Sequence, residues 1–571
     1  MSFVIFLVNL SPNERIAGLL APLFALRTED DLGLGDVAAL RQFIDWSRQH
    51  GFKLVQLLPI NETGGDNSPY NAISSRAIDP TTLRLAPGTP EDLSETAFNE
   101  VIASVDLKAL RRGSVKYEIV KPLKKKLLER AFDAFRSRAG EESDFAAFCQ
   151  REKSWLTDYT LFRVLMEMNG ERETWDTWRP EHAEIDSARR WFESLGEGAR
   201  APLEKRRDFH KYVQWIAHQQ WREVKAYAEA EGVALMGDIP FGVSYYSADV
   251  FAQPDRFALR WSGGAPPEPY FKDDAFTQKW GQNWGIPLYR WDTMRARNFD
   301  WWRQRVRGVR EIFHLFRIDH ILGFYRIYAF PWRPQENAEF LPLSWEEMLA
   351  RTGGRVPHFA PRDDETWENC ERNRREGEEY LRVVLEEAGA ARVIGEDLGT
   401  VPEYVRPNLR SLGIAGFKIP QWENHPDQRS IPGSAYERMS VATFATHDHK
   451  PVRALWDEAA AGRSASADQA RQDILKIAEF AGIPFANELA DYTRDFYPKI
   501  FEALFRSESW IALVMITDLL GRKERFNVPG TAADSNWTRR LHTTVAKLGR
   551  GRALQRQLGA IQELLQASGR L

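Results

Sequence analysis

The sequence is poor in the features that most quickly place a chain. Among 571 residues there are two cysteines, Cys149 and Cys370, far apart in the chain. Two separated thiols make no disulfide framework, so a reducing cytoplasm is the expected compartment. Apolar runs of bilayer length are missing as well. The early run "FVIFLVNL" (3–10) is too short to span, has no basic segment before it and no small-residue cleavage site after it, and reads as a leading strand. Neither sign of charge dominates: the net charge is −4, which asks for no polyanionic partner and no membrane surface. The basic run "KPLKKKLLER" (121–130) carries Leu123, Leu127 and Leu128 at helical spacing and reads as one solvated helix face, not a nucleic-acid site. No G-x-G-x-x-G follows any strand-like segment, which removes the main signature of a doubly wound dinucleotide-binding sheet.

What is present is ordinary globular composition, 43% hydrophobic and 28% charged, with enough chain to bury a large core. Length alone allows three or four domains, yet an α/β barrel with insertions can use this much chain as one unit. Twenty tryptophans beside sixteen tyrosines stand out. Most belong in a core, but so many amphipathic rings also suit a cleft that stacks on sugar rings.

One unit recurs along the chain: an amphipathic helix, a glycine, a short apolar strand, and polar residues where the strand ends. In "DVAALRQFIDWSRQHGFKLVQLLPIN", Asp36 is a helix N-cap, Val37, Leu40 and Ile44 share a face, and Gly51 stops the helix before a strand. The pattern returns in "WREVKAYAEAEGVALMGDIPFG", in "FDWWRQRVRGVREIFHLFRIDH", in "EEYLRVVLEEAGAARVIGEDLG", in "VPEYVRPNLRSLGIAGFKIPQWE" and at "SVATFATHDH". Strands without polar alternation, each after a helix, predict a parallel sheet covered on both faces. A (β/α)8 TIM barrel explains why every strand ends in polar residues, since such barrels gather chemistry at the strand C-termini. Residues 1–571 are thus expected to form a single barrel unit. A largely helical subdomain is expected at 66–205, where strand signals are weak, and a second insertion at 331–390.

The strand ends supply Asp238, then Arg317, Asp319 and His320, then Glu396 and Asp397, then His447, Asp448 and His449. Two carboxyl groups brought together at one mouth cannot both ionise easily: one is pushed toward proton donation while an adjacent arginine keeps the other charged. That division of labour is what glycoside chemistry uses, one carboxylate attacking the anomeric carbon and one acid protonating the leaving oxygen. Simpler roles exist for single members. Asp36 and Asp397 read as helix N-caps, His320 and His449 as structural hydrogen-bonders, and Arg317 with Asp319 taken alone as a buried ion pair.

Taken together, "GDIPFGV", "FRIDH", "GEDLG" and "THDH", in that order, resemble the short motifs of the 4-α-glucanotransferases known as amylomaltases or disproportionating enzymes, relatives of the α-amylase clan. The resemblance extends to "LGLGD" (32–36), "LLPINETGGDNSPY" (57–70), "WLTDYTLF" (155–162), "GQNWGIPLY" (281–289) and "NVPGT" (527–531). "GQNWG" and "RIDHILGFYRI" are most similar to the branch that holds the plant cytosolic disproportionating enzyme. The resemblance implies Asp319 as nucleophile, Glu396 as general acid/base and Asp448 as the carboxylate that grips sugar hydroxyls in the transition state. It implies Arg317 as the partner of Asp319, with Asp238 and His447 on the sugar nearest the reaction, Tyr70 stacking there, and Trp284 on a loop over the acceptor side. It also implies no cofactor and no catalytic metal, with maltooligosaccharides and glycogen- or starch-derived glucans as partners.

Three departures mark this chain. Ile286 follows "NWG" where typical bacterial members carry asparagine, "KIPQWENHP" replaces a more apolar stretch and places Gln421, Trp422 and Glu423 near the rim, and the segment before Glu396, including "NCERNRREGEEY", is longer than usual. The alternatives are an α-1,4-glucan hydrolase of the same clan, a non-catalytic glucan-binding barrel, and a metal-dependent barrel enzyme with Asp, Glu and His ligands.

Overall fold

Short apolar strands that follow amphipathic helices have one stable solution here. The computed structural model describes residues 8–138, 142–267, 274–390, 392–462, 464–484, 491–529 and 535–571. Among the described residues twelve strands run in chain order: β1 (Ile16–Leu20), β2 (Leu54–Gln56), β3 (Ala234–Pro240), β4 (Phe257–Ala265), β5 (Gln282–Tyr289), β6 (Leu315–Asp319), β7 (Ile327–Phe330), β8 (His358–Ala360), β9 (Arg392–Gly395), β10 (Gly416–Lys418), β11 (Ser440–Ala442) and β12 (Ile511–Met515). Eight of them form one parallel sheet in the order β10-β11-β12-β1-β2-β3-β6-β9. A parallel bridge between Ile394 and Ala415, with the Gly395 amide donating to the Ala415 carbonyl at 2.9 Å, joins β9 to the chain entering β10 and closes the circle. The fold is therefore a (β/α)8 barrel. Near-closure pairs the inner strands on both sides and leaves the barrel only a short seam between β9 and β10.

The helices cover it as their stripes predict. Helix Val37–Gln49 starts on Asp36, whose carboxylate accepts from the Ala38 and Ala39 amides, and buries Val37, Leu40, Phe43 and Ile44. Helix Asp300–Ile312 buries Trp301, Trp302 and Val306 ahead of β6. Each fully buried side chain of this size contributes about 1.5–3 kcal/mol. Along β6 the pleat separates two environments. Phe316 and Ile318 are sealed among the covering helices, while Leu315, Arg317 and Asp319 share the other face.

Two strands of the barrel lie outside the recurring unit. The first is Ile16–Leu20. The expected leading strand at 3–10 falls largely outside the described residues, and Val8–Leu10 carry no strand. The last, Ile511–Met515, comes from an apolar run that fits a buried helix as well as a strand. Between β2 and β3 the regular structure of the described chain is helical, apart from isolated bridges within irregular chain at 57–79 and 83–94, and its last helix, Glu197–Ala230, runs through residue 205 and packs on Val37–Gln49. Between β6 and β9 lie β7, β8 and several helices. The longest, Trp367–Ala388, contains "NCERNRREGEEY" and packs against Asp300–Ile312. A second sheet is antiparallel and four-stranded, ordered β5-β4-β7-β8, and joins the loops after β3 and after β6 into one structure. Among the described residues, no helix is long and apolar enough to cross a membrane.

Candidate active site

The register of β3 and β6 places Asp238 directly beside Arg317 and Pro240 beside Asp319. From that pairing the centre of the mouth follows. The Arg317 guanidinium, 3% exposed, donates from Nη1 to Asp238 Oδ2 at 2.6 Å and from Nη2 to Asp319 Oδ1 at 2.7 Å. It lies 5.8 Å from the centre of the Phe417 ring on β10, so the cation has an aromatic face as well as two carboxyl partners. Tyr70 donates to Asp238 Oδ2 at 2.7 Å and stacks on His447 with ring centres 4.9 Å apart and planes 8° from parallel. Asp238 Oδ1 is buried and has no hydrogen-bond partner among the described residues, which leaves one acceptor unspent beside the cluster.

Glu396 follows β9. Its Oε2 accepts the His320 amide at 2.8 Å, and this contact depends on backbone shape: His320 sits in the left-handed region at φ 50°, ψ 54°, turning its N–H toward the neighbouring strand end. One buried guanidinium thus serves a group of three carboxyls, Asp238, Asp319 and Glu396, and they cannot all ionise. Burial pushes Glu396 up to about 8, with Arg317 pulling down and the Asp319 charge pushing further up. Burial likewise raises Asp238 to about 7, against Arg317. Asp448 goes the other way. Burial opposes its charge, but His447 at 3.2 Å from Oδ1 and the Asn527 amide donating at 2.6 Å hold it below the ordinary carboxylate range. Burial lowers His447, and it lowers His320 and His449 to about 4, so all three rings are neutral at neutral pH.

Trp284, 39% exposed, meets the His320 ring edge-on at 4.7 Å, one residue from Asp319. All eight expected site residues, Tyr70, Asp238, Trp284, Arg317, Asp319, Glu396, His447 and Asp448, therefore connect through one mouth. Further residues join them that the strand-end pattern did not single out. Asn527 fixes Asp448. Trp537, held at a positive φ of 60°, lies 5.9 Å from both Tyr70 and His447, and such strained backbone in a bulky residue clusters at functional sites. Asn527 lay within the quoted "NVPGT", whose Gly530 and Thr531 are outside the described residues; nothing local to Trp537 advertises its place.

Asp397 corrects an expectation. It caps no helix, because the next one begins at Val405; its Oδ1 accepts the Phe417 amide on β10 at 2.6 Å and its Oδ2 accepts from Arg406 Nε at 3.0 Å. A short loop after β9 delivers the side chain sideways to the next strand instead of forward to a helix. Ile286 is also explained. It packs so close to Gly242 and Gly263 that a β-carbon on either would press on its side chain, so it fills an apolar niche. Of the rim segment, Gln421 and Glu423 are buried, bonded to the Phe444 carbonyl and to Lys418, and Trp422 is the exposed member, edge-on to His449 at 4.9 Å. Among the described residues no three His, Cys, Asp or Glu side chains gather as metal ligands would.

A closed (β/α)8 barrel whose mouth holds an arginine-bound aspartate, a proton-bearing glutamate and stacked aromatic rings has the construction of an enzyme that works on glycosidic bonds. The chain belongs to the 4-α-glucanotransferase family, whose sequence profile matches residues 21–545. It is 30% identical over 549 residues to a 4-α-glucanotransferase of Chlamydia caviae, covering 93% of this chain and 91% of the relative. It is 25% identical to the 4-α-glucanotransferase DPE2 of Oryza sativa, covering 97% of this chain and 70% of the plant protein. The amylomaltase of Streptococcus agalactiae, solved in complex with acarbose, has the same fold, with a TM-score of 0.72 over 98% of this chain and 100% of that one at 21% identity.

Proposed function

We propose that this enzyme transfers α-1,4-glucan segments or glucosyl units from a maltooligosaccharide to the 4-hydroxyl of glucose or of another glucan, by a retaining double displacement. Asp319 Oδ1, bonded to Arg317, belongs to the nucleophile: its free oxygen attacks the anomeric carbon while Glu396, bearing its proton, passes it to the departing 4-oxygen. A covalent glycosyl-enzyme results. Glu396, now a carboxylate, takes the proton of the incoming 4-hydroxyl as that oxygen attacks the same carbon and releases Asp319. Asp448, anionic and fixed by Asn527, grips sugar hydroxyls as charge develops on the ring. The unspent Asp238 Oδ1 and the His447–Tyr70 stack take the sugar at the reacting position, and Trp284 covers the acceptor. The observation that carries this reading is geometric: Asp319 bonded to the buried Arg317 guanidinium beside a buried Glu396, whose carboxyl burial raises to about 8.

On the same reading, residues 66–205 and 331–390 are inserted walls of one catalytic unit. Glycogen- or starch-derived oligosaccharides in the cytoplasm are its substrates, consistent with two free cysteines.

Product time courses from maltose and maltotriose test the reading. Glucose together with longer oligomers means transfer, whereas reducing ends that accumulate without chain growth mean hydrolysis and overturn it. Asp319→Asn removes nearly all turnover while glucan binding persists, and substantial residual disproportionation would rule out Asp319 as nucleophile. Glu396→Gln loses about 10²–10⁴ in rate with natural donors, and much less in the glycosylation step with an activated donor whose leaving group needs no proton.

A further inference from the structure

Beyond the catalytic mouth, three stretches of chain meet at one side chain, and its neighbours along the chain seat a fourth. Arg333, three residues past β7, donates from Nη1 to Asp176 Oδ2 at 2.9 Å in the helical segment between β2 and β3, and to the Tyr246 hydroxyl at 3.2 Å in the loop after β3. Its guanidinium lies 4.6 Å from the centre of the Tyr245 ring, which stacks on Trp175 at 5.2 Å with planes 9° apart. On either side of Arg333 the backbone seats the fourth stretch, the turn of β5 that carries Trp284. Asn283 Nδ2 donates to the Trp332 carbonyl at 3.2 Å and to Asn337 Oδ1 at 3.1 Å. Gly285, at φ +79°, sits so near Pro334 that a β-carbon there would lie 3.0 Å from Pro334 Cγ. Continuous contact therefore runs from Asp176 through Arg333 and Pro334 to Gly285 and Trp284, and from Trp284 to His320 beside Asp319.

We propose that Arg333 is a positioning residue, a strut that seats the Trp284 turn against the helical segment and so sets how often the glycosyl-enzyme is captured by a sugar instead of by water. The inference rests on the transfer reading above and specifies which side chain governs its outcome. The side chains of Arg333 and Asp176 are 38% and 23% exposed, and ion pairs this open add little to global stability. What the pair supplies is geometry. A planar guanidinium can hold a carboxylate, a phenol and a ring face at once, which a lysine ammonium cannot do. A sugar hydroxyl must arrive oriented for attack, and a misplacement of about 1 Å can cost about 10²-fold. Water needs no such seating, so loss of the strut penalises transfer more than hydrolysis.

The test uses the full-length enzyme with maltotriose, comparing the wild type with R333A, R333K, D176N and R333A/D176N. Chain growth and reducing-end gain are read separately, and the acceptor KM for glucose is measured. R333A and D176N should each lower the transfer-to-hydrolysis ratio by about fivefold or more, the size expected for one coupled contact, and raise the acceptor KM. Donor consumption should stay within about twofold, given that neither residue lies in the catalytic cluster. R333K should recover part of the ratio, and the double variant should be no worse than R333A. A wild-type ratio and acceptor KM in R333A, or a proportionate fall of all rates, overturns the strut. If R333A does not fold by circular dichroism, D176N decides by the same criteria. If the wild type itself makes no longer oligomers, the transfer reading fails and the strut fails with it; wild-type transfer with an indifferent R333A sinks the strut alone.

Discussion

At Glu396 a single proton sets both the chemistry and its cost. The carboxyl is raised to about 8 by burial and by the charge of Asp319, so the free enzyme holds its general acid ready at neutral pH. The expected consequence is an alkaline limb in kcat/KM near pH 8 for natural donors, absent from Glu396→Gln assayed with an activated donor. A limb that survives in that variant assigns the ionisation elsewhere. Stability carries the same signature. A carboxyl whose folded value lies above its unfolded one binds more protons folded than unfolded between about 4.5 and 8, so unfolding free energy falls as pH rises through that window. Glu396→Gln should therefore gain thermal stability over the wild type progressively from about pH 5 to pH 8, as active-site residues often trade stability for function. Arg317, Asp319 and Glu396 were legible in the sequence because a charge that ends an apolar strand needs a reason. Trp537 was not, because its place beside Tyr70 depends on a left-handed backbone residue far along the chain.

At the scale of the element, Asp397 shows where local reasoning stops. A strand-end aspartate before a helix has two short-range uses, a cap or a brace to the next strand, and they differ only by loop geometry. Here the carboxylate braces β9 to β10 through the Phe417 amide, immediately behind Glu396. Its charge is also one of the influences that keep Glu396 high. Asp397→Asn should thus shift the alkaline limb of kcat/KM downward, and Asp397→Ala should in addition destabilise by about 1–3 kcal/mol by orphaning a buried amide. An unmoved limb in Asp397→Asn would mean that its charge does not reach Glu396. The antiparallel sheet was hidden for a related reason: its strands come from two loops whose pairing joins residues such as Gly263 and Ala329, and no local period announces such long-range partners.

For the whole molecule, six barrel strands, β2, β3, β6, β9, β10 and β11, were readable because each ends in a polar cluster, while β1 and β12 were not, since one follows no helix in the described chain and the other, though it follows the amphipathic helix Tyr497–Arg506, sits in a uniformly apolar run. Those two strands pair along their whole length, and at their N-terminal ends, the floor of the barrel opposite Asp319, one side chain caps them. Arg570, just beyond helix Arg552–Ala567 and fully buried, donates to five main-chain carbonyls: Phe505 at 2.6 Å, Ile16 at 2.9 Å, Trp510 at 3.1 Å, Ser507 at 2.7 Å and Ser509 at 2.8 Å. Among the described residues no carboxylate lies within ion-pair distance of it, and burial lowers its pKa to about 9. At neutral pH it is a cation solvated by the start of β1 and by the helix end and loop, 505–510, that lead into β12, holding the last helix to the first strand. Replacing it with methionine keeps the packing and strips the donors, so several buried carbonyls lose partners at about 1–3 kcal/mol each where water cannot replace them. Arg570→Met should then lower Tm by several degrees, with Arg570→Lys intermediate because an ammonium reaches fewer of the five. The floor of a (β/α)8 barrel serves stability and its mouth serves chemistry, so kcat per folded molecule at 25 °C should be unchanged in both variants. A fall in kcat with Tm preserved would show instead that the floor is coupled to the mouth.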